Sequence, residues 1–436
     1  MSIKATTILL AFYGDDFTGS TDALEFITRA GAKAVLFTDT PDEKQLQAFP
    51  GLTAYGVAGK TRALCPDEMK AVLAPAFQQL NKGGVKQVHY KVCSTFDSSP
   101  QVGSIGNVID IATDIFAPDR LPVIGGTPAL GRYCVFGNLF AEMGICSKGA
   151  IYRLDRHPSM SKHPVTPAGE SDLRLHLQKQ TDKKIGLINV LQLEQPVDTW
   201  NETIKEKTVL VDVLYEGQLT KIGEWLDNQY ALKHKPVFTI GSSAVEAALG
   251  SYWNQQGLLT PKTDWPEIGK AAPLLVISGS CSPVTAAQIE WARSNGFEEI
   301  IIDADTAGDE GLSISVLNRL VTLLEQQKDV IVHTGSKNSD PVSSLKLGTA
   351  LGIAAKHAVT AGHLKRVVVA GGDTSSYAAR AMDIDAVEMI APLVSGAPLC
   401  RAWSGNKAIN GLEVNFKGGQ VGAANYFGIM KNGKAE

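Results

Sequence analysis

Short apolar runs rich in valine, isoleucine and leucine alternate along the chain with longer stretches in which apolar residues have a helical spacing. This alternation is typical of βαβ units, in which parallel strands form a sheet that helices cover on both faces. The apolar run 7–14, for example, precedes a segment in which Ala23, Ile27 and Ala30 share one helical face. The pattern therefore predicts an α/β fold with mostly parallel sheets.

The length of the chain and one proline-rich stretch predict two domains. At 436 residues the chain exceeds the size at which a single hydrophobic core usually stops growing. The stretch 258–273 contains three prolines and has no apolar period, which is typical of a linker. We predict a domain at 1–257, a linker at 258–272 and a domain at 273–436. Each domain should be a mostly parallel sheet covered by helices, with a cleft between the two domains.

Charge and cysteine content exclude several classes of protein. The formal net charge is -4, and no run of Lys and Arg with interleaved aromatics is present, which argues against nucleic acid as a partner. The N-terminal apolar run is too short to span a membrane and lacks a cleavage pattern. Six cysteines without a CxxC pair argue against a disulfide framework or a structural zinc site. We expect a cytoplasmic protein that binds small molecules.

Two adjacent acids, Asp15 and Asp16, directly follow the first predicted strand in the segment 14–20. In open α/β sheets, ligands bind outside the carboxyl ends of the strands. Carboxylates beside a helix N-terminus can accept a hydroxyl proton or bind a metal-bound phosphate. The alternative is that Asp16 or Thr18 only caps the helix. A cap accounts for one polar residue but not for two consecutive acids, so Asp15 and Asp16 are candidate catalytic residues.

A second group of polar residues follows two other predicted strands. Lys91, Ser94 and Thr95 lie at the end of one strand, and Arg62 lies after another. Cations and hydroxyls at such positions can bind a carboxylate or a phosphate, and arginine can do so with two hydrogen bonds. Because solvated Lys and Arg are common after strands, a role without function stays open for each. Together they are candidate substrate-binding residues.

The second half of the chain has two strand-to-helix turns and a late glycine-rich loop that could bind phosphate. The candidate residues are Ser278, Ser280, Gly371, Gly372, Asp373, Thr374 and Gly419. Glycines let the backbone approach a ligand closely, N–H groups at a helix N-terminus suit an anion, and Asp373 could bind Mg²⁺. Neither the P-loop pattern nor GxGxxG is matched, and a capped tight turn remains the alternative.

Taken together, four segments resemble the four-carbon acid sugar kinase family. They are GDDFTGS at 14–20, KVCST at 91–95, VISGSCSPVTAAQI at 276–289 and VAGGDTSSYAARAM at 369–382. The resemblance covers essentially the whole chain in the same order. It implies an N-terminal sugar-acid-binding domain, a C-terminal nucleotide-binding domain, and phosphorylation of threonate, erythronate, 3-oxo-tetronate or related acids with ATP. We expect Mg²⁺ to accompany the nucleotide, since phosphoryl transfer needs charge neutralisation.

The resemblance also implies roles for most of the candidate residues. Asp15 and Asp16 would act on the substrate hydroxyl. The acid would be bound by Arg62 and Lys91, with Ser94 and Thr95 beside them. The nucleotide would be bound by Ser280, Gly371, Gly372, Asp373, Thr374 and Gly419.

One segment departs from the family pattern. Cys93 stands where relatives usually carry an aspartate, and Asp97-Ser98-Ser99 stands where they carry Arg-Gly-Asn. Losing a cation and gaining an acid beside the acid-binding residues should change which substrate fits. The resemblance implies branched or keto acids such as 3-oxo-isoapionate for this kind of segment. The rival functions are an ATP-independent phosphatase or isomerase and a sugar-acid sensor without turnover, and the sequence leaves a homodimer open.

Overall fold

A computed structural model describes residues 7–143, 149–163, 165–233, 235–302, 307–308, 311–335, 341–362 and 364–434. By contacts the chain divides into two compact units. Unit 1 comprises residues 1–15, 26–34 and 40–262, and unit 2 comprises residues 16–25, 35–39 and 263–436. The sequence predicted one boundary between the domains, at 258–272. The contacts also assign two short N-terminal segments, 16–25 and 35–39, to unit 2.

The secondary structure follows the alternation in the sequence. The strands are β1 (Leu10–Gly14), β2 (Ala34–Phe37), β3 (Ala54–Ala58), β4 (Gln87–Lys91), β5 (Leu121–Ile124), β6 (Arg132–Val135), β7 (Asn138–Glu142), β8 (Ile151–Arg153), β9 (Ile185–Ile188), β10 (Thr208–Val211), β11 (Val237–Gly241), β12 (Leu275–Ser278), β13 (Glu298–Ile301), β14 (Ala307–Gly308), β15 (Gly311–Leu312), β16 (Val330–His333), β17 (Arg366–Ala370), β18 (Ala386–Ala391), β19 (Leu399–Trp403) and β20 (Glu413–Lys417). The helices are α1 (Phe17–Arg29), α2 (Glu43–Gln47), α3 (Pro66–Lys82), α4 (Ile105–Phe116), α5 (Leu173–Gln178), α6 (Gly217–Lys233), α7 (Ala244–Gln255), α8 (Pro283–Ser294), α9 (Ile314–Glu325), α10 (Pro341–Thr360), α11 (Gly372–Ala381) and α12 (Tyr426–Asn432).

Unit 1 is built around a parallel sheet in the order β3-β1-β4-β11-β5-β10-β9. Gly14 at the end of β1 is in register with Ala58 of β3 and with Lys91 of β4. The carboxyl ends of these three strands therefore lie side by side. A small antiparallel sheet, β6-β7-β8, belongs to the same unit.

Helix α3 shows why the helical stretches cover this sheet. Pro66 occupies its first turn, and the Glu68 carboxylate accepts a hydrogen bond from the backbone N–H of Cys65, so the helix start is well defined. Phe77 is buried on the inner face, where its ring centroid lies 6.3 Å from that of Tyr13 and 5.0 Å from that of Phe238. Aromatic contacts of this kind hold the helix against the strands.

Unit 2 has a mixed sheet. Strands β13, β16, β12, β17 and β20 are neighbours in that order and run parallel, whereas β19, β18 and β2 continue the sheet with antiparallel pairing. Ala370 at the end of β17 is in register with Ser278 of β12 and with Lys417 of β20. The α/β class with mostly parallel strands is thus confirmed, and the cleft stays a prediction. In the described part of the chain, no helix is both long and apolar enough to cross a membrane.

Candidate functional site

The first group of candidate residues lies in unit 1, where β1, β3 and β4 end. We call Asp15, Arg62, Lys91, Cys93 and Thr95 the strand-end cluster. Each follows or ends one of the three strands whose carboxyl ends are in register. The parallel pairing is therefore what brings residues from three distant parts of the sequence together.

Asp15 and Arg62 form a two-pronged ion pair. Arg62 donates from Nε to Oδ2 of Asp15 at 3.1 Å and from Nη2 to Oδ1 at 2.9 Å. The backbone N–H of Cys93 donates to the same Oδ2 at 3.3 Å. The side chain of Asp15 is 6% exposed and that of Arg62 is 28% exposed. The carboxylate thus fixes the orientation of the guanidinium, which keeps an accessible face.

Lys91 is buried in this cluster. Its Nζ donates to the backbone carbonyl of Val92 at 2.9 Å, and its own carbonyl accepts from the N–H of Asp15 at 2.8 Å. On the neighbouring residue, the Tyr90 hydroxyl lies 2.7 Å from Oγ1 of Thr61. Burial raises the pKa of Tyr90, and the Asp15 charge adds to this effect. Tyr90 is therefore a neutral hydrogen-bonding group at neutral pH.

The segment that departs from the family pattern continues the cluster. The Sγ of Cys93 lies 3.1 Å from Oγ1 of Thr95, which donates to Oδ1 of Asp97 at 2.7 Å. Burial raises the pKa of Cys93 to about 11, and Asp97 contributes to the shift. The Cys93 thiol is therefore protonated and uncharged at neutral pH. Ser94, which lies between Cys93 and Thr95 in the sequence, is partly buried.

A small pocket adjoins this segment. Its lining residues are Thr95, Phe96, Asp97, Ser98, Leu154, Thr166, Ala168, Glu170, Leu173 and His176. Nε2 of His176 lies 2.9 Å from Oγ of Ser98, and burial lowers the pKa of His176. The pocket is thus lined by an uncharged imidazole, hydroxyls and two carboxylates. No group of three or more His, Cys, Asp or Glu side chains in the described ranges could hold a metal ion.

The second group lies in unit 2, where β12, β17 and β20 end in register. We call the loops 278–283, 370–374 and 417–422 the three-loop cluster. A methyl group at Gly279 would lie 2.4 Å from Oγ1 of Thr374, and one at Gly419 would lie 2.9 Å from Oγ of Ser280. The loops touch one another so closely that a larger residue at either position would force the Thr374 or Ser280 side chain to shift.

Hydrogen bonds within the three-loop cluster fix the backbone. Gly371 has a φ of 119° and its N–H donates to the carbonyl of Lys417 at 2.9 Å. The N–H of Ser280 donates to Oγ of Ser278 at 3.3 Å. Helices α8 and α11 begin directly after these turns. The cluster thus places glycine backbone and serine hydroxyls at two helix N-termini, an arrangement that suits phosphate.

Asp16 belongs to unit 2, whereas Asp15 belongs to unit 1. Oδ1 of Asp16 accepts from the N–H of Gly19 at 2.7 Å, and Oδ2 accepts from Oγ1 of Thr18 at 3.0 Å. Asp16 therefore caps α1, as the alternative interpretation of the sequence had it. A methyl group at Gly372 would lie 3.2 Å from Oδ2 of Asp16, so the capping carboxylate also lies beside the three-loop cluster.

The structure brings most of the predicted residues into these two clusters. Asp15, Arg62, Lys91, Ser94 and Thr95 lie in or beside the strand-end cluster. Asp16, Ser278, Ser280, Gly371, Gly372, Thr374 and Gly419 lie in or beside the three-loop cluster. Asp373 is exposed in the first turn of α11. The roles assigned to these residues stay predictions.

Lys417 was predicted only as the first residue of the late glycine-rich loop 417–422, and Thr285 was not predicted. Lys417 is fully buried at the end of β20, and its Nζ donates to Oγ1 of Thr285 at 2.9 Å. Burial lowers the pKa of Lys417 to about 7. One signal in the sequence pointed to it, since Lys417 ends an apolar strand directly before two glycines, much as Lys91 ends another strand.

Two family models match the chain. A sugar-binding N-terminal domain matches residues 10–249, and a nucleotide-binding C-terminal domain matches residues 275–427. The first range contains the strand-end cluster and Asp16. The second contains the loops of the three-loop cluster.

Curated relatives match nearly the full length. A 3-oxo-isoapionate kinase of Paraburkholderia graminis is 41% identical, covering 98% of this chain and 95% of the relative. A 3-oxo-tetronate kinase of Pseudomonas savastanoi pv. phaseolicola is 26% identical over 98% and 97% of the two chains. One from Escherichia coli K12 is 29% identical over 90% and 100%.

Solved structures share the fold. A protein of Salmonella typhimurium LT2 has a TM-score of 0.77 at 22% identity, covering 99% of this chain and 100% of that one. A protein of Haemophilus influenzae has a TM-score of 0.68 at 20% identity, covering 96% and 98%.

Proposed function

The chain belongs to the four-carbon acid sugar kinase family, and on this basis we propose that it transfers the γ-phosphate of ATP to a hydroxyl of 3-oxo-isoapionate. The observation that supports this choice of substrate is the 41% identity with a 3-oxo-isoapionate kinase over 98% of the chain. The relatives that act on 3-oxo-tetronate are 26% and 29% identical. The departure at Cys93 and Asp97 supports the same choice. We place the reaction in the cytoplasm.

The strand-end cluster supports binding of the acid. Arg62 is oriented by Asp15 and is partly exposed, so its outer face can bind the substrate carboxylate. Lys91 adds a second cation, and the hydroxyls of Ser94 and Thr95 can bind the hydroxyls of a sugar acid. Arg62 would then contribute mainly to substrate affinity, while Asp15 holds it in place.

The three-loop cluster supports binding of the nucleotide. Ser278 and Ser280 offer hydroxyls, and Gly371, Gly372 and Gly419 offer backbone that a phosphate can approach without a side chain in the way. Thr374 lies in the first turn of α11, where N–H groups point outward. The turns thus supply hydroxyl and backbone N–H donors that can bind phosphate oxygens.

Asp16 is the group that we propose as the proton acceptor. Its carboxylate lies beside Gly372, where the phosphate of a nucleotide would approach. A base that takes the proton from the acceptor hydroxyl must lie close to the transferred phosphoryl group. The hydrogen bonds from Thr18 and Gly19 fix the position of the carboxylate.

Asp373 is the residue that we propose as a Mg²⁺ ligand. Mg²⁺ prefers oxygen ligands, and it is often held by one or two carboxylates together with substrate phosphates. An exposed carboxylate in the first turn of α11 fits this chemistry. When bound, Mg²⁺ neutralises negative charge on the phosphates.

The test is a steady-state assay of ADP release with 3-oxo-isoapionate and with 3-oxo-tetronate at saturating MgATP. We expect kcat/KM to be roughly tenfold or more higher for 3-oxo-isoapionate, within the range that one added or missing group usually produces. Equal or better turnover of 3-oxo-tetronate would refute the proposal that 3-oxo-isoapionate is the preferred substrate. ADP release with neither acid, together with no stabilisation by MgATP in a thermal shift, would refute a kinase and favour the phosphatase, isomerase or sensor.

A further inference from the structure

Lys417 is a fully buried cation with an unusual environment. It is the last residue of β20 and directly precedes Gly418 and Gly419. Its Nζ donates to Oγ1 of Thr285 at 2.9 Å and lies 5.4 Å from the centre of the Tyr426 ring. Within the described ranges, no Asp or Glu forms an ion pair with it. A buried ammonium without a carboxylate partner is costly, so its retention calls for a role.

Thr285 connects Lys417 to the glycine loop. The Thr285 hydroxyl accepts from Lys417 and donates to the backbone carbonyl of Gly419 at 3.0 Å. One helical turn further along α8, Nε2 of Gln288 donates to the carbonyl of Val421 at 3.0 Å. Two side chains of α8 therefore hold the loop 417–422, and Lys417 fixes the orientation of one of them.

We propose that Lys417 is a positioning residue of the nucleotide site, which holds Gly419 in place through Thr285 and gains its full positive charge when the phosphates of a nucleoside triphosphate bind at the three-loop cluster. This inference rests on the proposed function, since it needs a nucleotide at that cluster. It assigns to Lys417 a coupling between nucleotide binding and proton uptake.

The pKa of Lys417 and the charges of the groups around it determine whether nucleotide binding takes up or releases a proton. Burial lowers the pKa of Lys417 to about 7, so part of the population is neutral at physiological pH. Tyr426 on α12 is neutral because burial raises its pKa. Glu413 on the same strand pairs with Arg366 and Lys365, and Asp373 on α11 is exposed.

Bound phosphate adds negative charge near the lysine and raises its pKa, because an opposite charge favours the charged form. The bound state then holds more protons than the free state above pH 7. By linkage, nucleotide affinity is highest below pH 7 and falls as the pH rises from about 7 towards the pKa of the bound state.

The experiment is isothermal titration of the full chain with Mg²⁺ and a non-hydrolysable ATP analogue at pH 8, in HEPES and in Tris buffer. The two buffers have different ionisation enthalpies, so the difference in heat gives the protons taken up. We expect uptake of roughly half a proton or more for the wild type and close to none for Lys417→Met. The matched control is Lys407→Met, an exposed lysine of the same unit, which should behave as the wild type.

A second variant tests the link through Thr285. Thr285→Val keeps the volume and removes both hydrogen bonds of the hydroxyl. It should raise the KM for ATP by roughly fivefold or more, with little change in kcat at saturating ATP, because a loop is misplaced while the reacting groups are kept. Lys417→Met should fold at least as well as the wild type, since it removes a buried charge.

The outcomes separate the two proposals. A wild type that binds the analogue without proton uptake, or a Lys417→Met variant with the same uptake, overturns the role of Lys417 while the kinase stands. A wild type that does not bind the analogue overturns the proposed function, and the role of Lys417 with it.

Discussion

The strand-end cluster and the three-loop cluster occupy equivalent places in the two units, since both lie where neighbouring parallel strands end in register. Their chemistry differs. The first is built from charged side chains, with the Asp15–Arg62 pair at its centre. The second is built from glycine backbone, hydroxyls and helix N-termini, and its buried cation is Lys417.

This difference matches two kinds of anion. A small carboxylic acid has few atoms, so charged side chains that converge on it provide much of the affinity and the discrimination. A triphosphate has many oxygens that rigid N–H groups can bind without the desolvation of permanent charges. We therefore expect changes in the strand-end cluster to affect the acid alone and changes in the three-loop cluster to affect ATP alone.

The largest effect is expected for Asp16→Asn, which changes the residue that we propose as the proton acceptor. Asparagine also caps helices well, so α1 should keep its start. The amide cannot take a proton from the acceptor hydroxyl, so kcat should fall by roughly 10²- to 10⁴-fold. Single-turnover rates of ADP formation at saturating substrates measure this effect directly.

The control for Asp16→Asn is nucleotide binding. The thermal shift with MgATP should match that of the wild type, because the three-loop cluster is unchanged. Asp42 is an exposed residue that caps α2 by accepting a hydrogen bond from the N–H of Gln45, so Asp42→Asn provides a matched capping variant and should leave kcat unchanged. An Asp16→Asn enzyme with wild-type turnover would remove Asp16 from the mechanism.

A smaller effect is expected for Arg62→Ala, which removes the guanidinium that Asp15 orients. The KM for the acid should rise by roughly 10- to 100-fold, since a charge-assisted hydrogen bond contributes about 1.5–3 kcal/mol, while the KM for ATP should not change. Arg62→Lys should restore little of this, because lysine cannot reproduce the two-pronged geometry. An increase of similar size in the KM for ATP would contradict the expectation that the strand-end cluster affects the acid alone.

The sequence predicted the strands and helices better than it predicted which side chains contact one another. Apolar runs identified strands, and the shared edge of parallel strands explained why Asp15, Arg62 and Lys91 would meet. The pairing of Arg62 with Asp15 could not be predicted, because it depends on side-chain directions that only the packed structure sets. The sequence also could not predict that Asp15 belongs to unit 1 and Asp16 to unit 2, because contacts between distant segments decide the unit of each residue. The burial of Lys417 likewise depends on α8 and α12.

The smallest effect is expected for Gly371→Ala in the three-loop cluster. Gly371 has a φ of 119°, and a methyl group there would lie 2.9 Å from Oγ1 of Thr374. The Thr374 side chain or the backbone of the turn must therefore shift, which should raise the KM for ATP by roughly fivefold to tenfold through the loss of one well-placed donor. The KM for the acid should stay unchanged. Steady-state kinetics with each substrate varied in turn measures both.

Gly411→Ala is the matched control for Gly371→Ala, since Gly411 lies in the same unit and has a φ of 92°, but a methyl group there would meet nothing within 4 Å. It carries the same kind of backbone strain, about 1–2 kcal/mol, without crowding a neighbour. Gly411→Ala should therefore lower the unfolding temperature without altering the KM for ATP. If both variants raised that KM equally, general destabilisation rather than crowding of the phosphate-binding turn would explain the effect, and the three-loop cluster would lose its role as a backbone cradle.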